Sequence, residues 1–275
     1  ARELAAMAAV DTVDVRHFGW LTCAFACSYV LGLRVFARIG WPKQAVGEAA
    51  SMVGGTAHSL LALAACVPLA LREARVFSTQ AGSAAELAEA GAAAACGLNP
   101  VGSAAALAPT FCYYSVDVFH YLLVNRGEPL FVVHHLAVLI MLATAMWTGR
   151  QALFPVYITT LLEAVTPFQM VWSYARDGRK VFPWLGDVYA AVSPFFTALY
   201  LFVRGAFGTV FMGYVLWMML YSEGCRQNAH SAEMRYLFAF LMCGGYAGSM
   251  IWAKSLLSGY LRFRAKQAMS RKKTD

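Results

Sequence analysis

The sequence predicts an all-α polytopic membrane protein of about seven transmembrane helices, and three observations carry that prediction. Of 275 residues, 60% are hydrophobic and 13% charged, which is too little polar surface to cover a soluble globule. Apolar runs of about 20 residues, the length that crosses a hydrocarbon core, recur along the chain. Lys and Arg fall more densely in alternate connections, the asymmetry that orients membrane helices.

The first run extends from Phe18 to about Phe36, the second from Met52 to Leu71, and the third from Ala104 to Val124. A fourth runs from Leu130 to Trp147, a fifth from Leu153 to Trp172, and the last from Tyr236 to Tyr260. Trp184 to Tyr221 is apolar except for Asp187 and Arg204 and would measure roughly 57 Å as one helix. It reads either as one long helix bent around Gly205 and Gly208 or as two spans. Charge favours one: with seven spans and the C-terminus inside, the cytosolic segments hold 13 Lys and Arg against 7 opposite, whereas an eighth span would strand the basic tail on the wrong side. The loop Arg72 to Pro100 carries an Ala- and Glu-rich stretch, Ser83 to Ala95, that reads as a surface helix serving as a packing lid.

The net charge of +7 owes much to six Lys and Arg between Arg262 and Asp275, a placement that suits anionic lipid headgroups and calls for no nucleic acid. Residues 1–45 form an N-terminal segment with the first span, 46–266 a six-helix membrane domain, and 267–275 a basic cytosolic tail. The start, Ala1, shows no signal-peptide pattern, so targeting is unreadable. Cys23, Cys27, Cys66, Cys112 and Cys243 sit in apolar runs as small hydrophobes. Cys96 and Cys225 fall in loops on the same, non-cytosolic side, which leaves a disulfide open to them.

Ionisable side chains inside a bilayer are costly and usually face a cavity, pair with each other, or work. Counted from the cytosolic end of each helix, His58, Asp117, His120, His134, His135, Glu163 and Lys254 share a layer roughly 6–13 Å deep. Asp117, His120 and Tyr121 lie at i, i+3 and i+4 and line one helix face. The short turn Asn125 to Pro129 makes the next span an antiparallel neighbour and brings His134 and His135 opposite that face. The pair diverges by about 100°, so one histidine acts while the other braces it. Blander roles stand beside these: His58 as a satisfied core histidine, Glu163 as a hydrogen-bond donor before the kinking Pro167, Lys254 snorkelling, Arg204 as an anchor near the far interface. No metal is expected, because fused histidines chelate poorly and no helical His-xxx-His pair occurs; a GxSxG elbow is also missing.

In their order, "GGTAHSLLAL" with His58, "SVDVFHYLLVNRGEPLFVVHHLAVLI" with Asp117, Tyr121, Glu128, His134 and His135, "LLEAVTPFQMVWSYARDGRK" with Glu163, Thr166, Pro167 and Phe168, and "SPFFTALYLFVRG" with Phe195, Phe196 and Arg204 resemble the TLC-domain family. That membrane domain is shared by ceramide synthases, translocating-chain-associated membrane proteins and several small proteins of lipid homeostasis. The resemblance covers roughly Val46 to Lys266 and implies a six-helix barrel around a lipid-accessible cavity, preceded here by one extra span, in the endoplasmic reticulum. In ceramide synthases the paired histidines are required for acyl transfer from acyl-CoA, a role that would map onto His134 and His135 with Asp117 as their partner; His58, His120, Tyr121, Glu163 and Thr166 would then line the substrate site. The synthase Ser, Asn and acidic motifs are missing between Leu136 and Trp172, and the Glu163 to Phe168 segment looks like the smaller non-synthase members.

Three functions follow as expectations: lipid handling that extends to acyl transfer, with no cofactor and acyl-CoA as the substrate to consider; non-catalytic lipid binding or sensing in the same cavity; or an accessory subunit of a larger membrane complex. Membrane lipids are the expected partners of the first two, protein subunits of the third.

Overall fold

Each hydrophobic run becomes a helix whose ends are set by residues that cannot continue it. In a computed structural model, which describes residues 15–79 and 81–271, α1 (Val15–Arg38) ends before Gly40 at φ 76°, a left-handed turn that glycine makes without a Cβ clash. After a 3-10 turn, α2 (Val46–Ser78) presents small residues to its neighbours. A Cβ added at Gly32 of α1 would stand 3.0 Å from Ala50 Cα, so glycine lets α1 and α2 touch almost backbone to backbone. The lid is α3 (Ala84–Cys96), capped by the Ser83 hydroxyl accepting from the Glu86 N–H. Then come α4 (Ser103–Leu123), and α5 (Pro129–Thr148), begun by a proline and ended by Gly149 in the left-handed region.

The fifth predicted span is broken. α6 (Leu153–Glu163) stops and α7 (Thr166–Gly178) restarts with Pro167 in its first turn, because proline offers no N–H to a continuing helix. By contrast Trp184 to Leu220 is one helical run: α8 (Trp184–Tyr200), a π-helical segment Leu201–Phe207, and α9 (Gly208–Leu220). The short α10 (Glu223–Asn228) precedes α11 (Ala232–Arg271), which absorbs residues 267–271 of the predicted tail; 272–275, like 1–14, lie outside the described residues.

Five runs among the described residues are long and apolar enough to cross a membrane: Val15–Arg38, Lys43–Ser78, Pro129–Thr148, Trp184–Leu220 and Ala232–Ala265. α4 and the α6–α7 pair complete seven traverses without meeting that measure. α4 carries Asp117, His120 and several tyrosines, which it buries against protein, and α6–α7 is divided by its break. The ends sort as the charge count requires. Trp41 meets Phe182, Arg179 lies over the Tyr189 ring, and Tyr189 meets Phe263, which gathers the segments at Lys43, Arg179 and Arg262 at one end. At the other, Arg72 donates to the Val101 carbonyl and Arg150 to that of Asn228.

The helices neighbour one another in the order α2, α4, α5, α11, α8–α9, α6–α7 and back to α2, a closed ring of six with α1 packed outside on α2 and α4. Its half toward Arg72 and Arg150 is an apolar core around Leu107, Leu142, Phe154, Met218, Met219 and Phe238. Over that end α3 docks on α10, joined by a Cys96–Cys225 disulfide. Glu89 of α3 accepts hydrogen bonds from the Ser222 hydroxyl (2.6 Å) and the Gly224 N–H (2.9 Å). Those donors, the hydroxyl foremost, hold its carboxyl below the usual carboxylate range. A depressed pKa contributes stability that is present above the unfolded value of about 4.3 and lost as pH falls through the folded one. Acid unfolding of the cap, followed by hydrogen exchange in α3 and α10, is expected to begin below about pH 4 and to lose this dependence in Glu89→Gln.

Candidate functional site

The ionisable residues of the inner layer form one chain of buried contacts across α1, α2, α4, α5 and α6. At its centre His135 (4% exposed) places Nε2 3.1 Å from Asp117 Oδ2, while the Ser51 hydroxyl donates to the other carboxyl oxygen. His135 Nδ1 lies 2.6 Å from the Phe131 carbonyl. A carbonyl only accepts, so Nδ1 carries hydrogen and Nε2 shares a proton with the carboxylate. Both ring nitrogens are thereby committed, and His135 keeps no lone pair for a reacting group. Tyr121 and Phe131 stack beside it, and Tyr114 meets it edge-on at 4.5 Å.

Toward the end that holds Lys43 and Arg179, His120 shares a hydrogen bond with the Tyr29 hydroxyl of α1 (2.9 Å) and lies 3.5 Å from the Glu48 carboxylate. Glu48 also accepts from Asn125 and from Tyr121. On the other flank His58 (1% exposed) stacks on Tyr113, shares a hydrogen bond with Thr110, and lies 3.9 Å from Glu163 at the end of α6. Thr166 turns back onto the Leu162 carbonyl.

His134 stands apart. It contacts the rings of Tyr114 and His135 but makes no hydrogen bond among the described residues, and it opens on a cavity that is partly continuous with the outside. The cavity lies between α5, α6, the π segment with α9, and α11, and is walled by apolar side chains such as Met141, Leu161, Phe211 and Met242. Its polar lining is confined to His134, Arg204, Ser249 and Tyr246. That composition, apolar walls with a few polar groups at one place, suits a largely apolar ligand.

The single cavity expected from the shared depth is therefore two compartments. Of the eight predicted site residues His134 alone lines the large cavity. Asp117 and His120 border a separate small void with Tyr29, Ser51 and Tyr113, and His58, Tyr121, His135, Glu163 and Thr166 are buried and line neither. Lys254 is exposed on the outer surface. Arg204, expected near the far interface, instead occupies the middle of the long helix and faces the cavity, because the 37-residue run is continuous. Ser51, seven residues before His58 and so on the same helix face, was overlooked, as were Tyr29, Glu48 and Tyr114. No group of three or more His, Cys, Asp or Glu among the described residues converges on a metal position.

The family model of the TLC domain matches residues 48–258. The chain belongs to the TLC-domain family. It is 32% identical over 132 residues to a TLC domain-containing protein of Arabidopsis thaliana, a match covering 46% of this chain and 49% of that one, so the chain spans about half the length of the curated relative it matches. No solved structure matches it. The match begins at Glu48 and leaves α1 outside, in accord with six ring helices and one added outside. TLC-domain membership makes this a multi-pass integral membrane protein with a lipid-related role.

Proposed function

We propose that the protein handles lipid by seating a single acyl chain in the ring cavity, with the polar end of the chain beside His134. One observation carries the reading: His134 offers ring nitrogens that no group among the described residues uses, at the edge of an apolar cavity left open by side chains. A domain kept only as a packing subunit has no need of such a space. Acyl transfer from acyl-CoA belongs to the same proposal as its finer form. A free imidazole nitrogen can attack a thioester carbonyl, and the Asp117–His135 pair would brace that ring, the two imidazoles lying 5.7 Å apart. Asp117 thus works at one remove. Residence in the endoplasmic reticulum, membrane lipids as partners and association with further subunits are parts of the proposal that rest on family likeness.

The test is incubation of purified protein with radiolabelled palmitoyl-CoA or palmitate, with gel filtration to confirm folding. His134→Ala is expected to retain at least tenfold less label than the wild type while eluting unchanged. Label that survives denaturation but is released by hydroxylamine marks acyl transfer; label extracted by organic solvent marks binding. Equal retention by His134→Ala and the wild type would put the accessory-subunit reading ahead.

A further inference from the structure

Arg204 is a cation placed midway along a membrane-spanning helix, 20 residues beyond Trp184 and 16 before Leu220. The π-helical turn Leu201–Phe207 carries it. Such a turn adds a residue to the helix circumference and re-aims its side chains, a device that recurs at functional sites. The side chain points to the cavity shared with His134. Its partners are all neutral: Nη1 donates to the Ser249 hydroxyl and Nη2 to the Leu162 carbonyl, both at 3.3 Å, and the guanidinium carbon lies 5.6 Å from the centre of the Tyr200 ring. Nε is buried with no hydrogen-bond partner. None of the ion pairs among the described residues includes Arg204; the neighbouring Glu163 is turned to His58 instead.

A guanidinium stays charged even inside a protein, and a buried charge needs an opposite one. No carboxylate among the described residues is paired with Arg204. We infer that Arg204 binds the free carboxylate of the lipid in this cavity, so that the ligand class is an unesterified, single-chain fatty acid. The planar guanidinium fork with its unused Nε–H matches a planar carboxylate. A phosphate head would bring a second negative charge that the apolar walls leave uncompensated. His134 then faces the carboxylate as a second hydrogen-bond donor.

This inference rests on the lipid-cavity reading, and the experiment separates the two. Palmitate, hexadecanol and hexadecyl phosphate share one tail and differ in the head; their affinities are measured by displacement of radiolabelled palmitate or hexadecanol from protein in nanodiscs, for the wild type and Arg204→Gln. The wild type is expected to bind palmitate at least tenfold more tightly than hexadecanol. Arg204→Gln is expected to bind both at the hexadecanol affinity of the wild type, which also shows the variant to be folded. Equal wild-type affinities for palmitate and hexadecanol overturn the inference while leaving the cavity a lipid site, and need no variant. A preference that survives in Arg204→Gln overturns it too, as does an Arg204-dependent preference for hexadecyl phosphate over palmitate. Failure of the wild type to bind any of the three removes the cavity reading and this inference with it.

Discussion

Asp117→Ala is expected to lower stability by about 3–5 kcal/mol, the usual cost of removing one partner from a buried charged pair. The carboxylate is 4% exposed and holds both His135 and Ser51, and beside it Ser51 has only the long 3.5 Å contact with the Tyr113 hydroxyl. With Asp117 gone, His135 Nε2 faces apolar and aromatic neighbours with its proton or lone pair unsatisfied. His134→Ala, which leaves no hydrogen bond broken, is expected to change stability by about 1 kcal/mol or less. Thermal unfolding in detergent compares the two. Similar losses would mean that His134 carries structural contacts equal to those of the Asp117–His135 pair, and would undo its assignment as the cavity's own histidine.

Removing the Cys96–Cys225 disulfide, by Cys96→Ser with Cys225→Ser, is expected to cost about 2–5 kcal/mol. The bridge closes a loop between residues 129 apart, and the entropy withheld from the unfolded chain grows with loop length, to about 5 kcal/mol at this size before native-state adjustments. The loss should be concentrated in the α3–α10 cap, where hydrogen exchange of α3 should accelerate first while the α2–α4–α5 contacts stay protected. A cap that exchanges as slowly as before would show that Glu89 and the helix contacts hold it without the covalent link. A disulfide at that end also agrees with the charge asymmetry, since it persists on the oxidising side of a membrane.

Much of the fold was legible because hydrophobic length and the placement of Lys and Arg are properties of the chain itself. The seven traverses, the antiparallel α4–α5 turn and the surface helix of the lid could be read that way. The pairing within the polar layer could not. Spacing put Asp117 and His120 on one face of α4, but the rotation of α4 against α2 and α5 decides their partners, and that rotation comes from packing. Asp117 met His135 and Ser51, while His120 met Tyr29 of a helix outside the ring. Glu163 lies at the inner layer as its depth implied, whereas Arg204, expected as an interface anchor, lines the cavity, carried by a π turn that re-aims the side chains of Leu201–Phe207. Shared depth also cannot distinguish a side chain sealed in a wall from one facing open space, the difference between His135 and His134.

The staple between Cys96 and Cys225 has a consequence for biogenesis. Its second half emerges only after α8–α9 has been inserted, so during synthesis the bond cannot close until six of the seven traverses are in place. At that moment the only ring member still to come is α11, the helix that supplies Gly245, Tyr246 and Ser249 to the cavity wall. A bond closed at that moment would hold the lid over five sides of the ring, and the arrival of α11 would then complete the chamber wall.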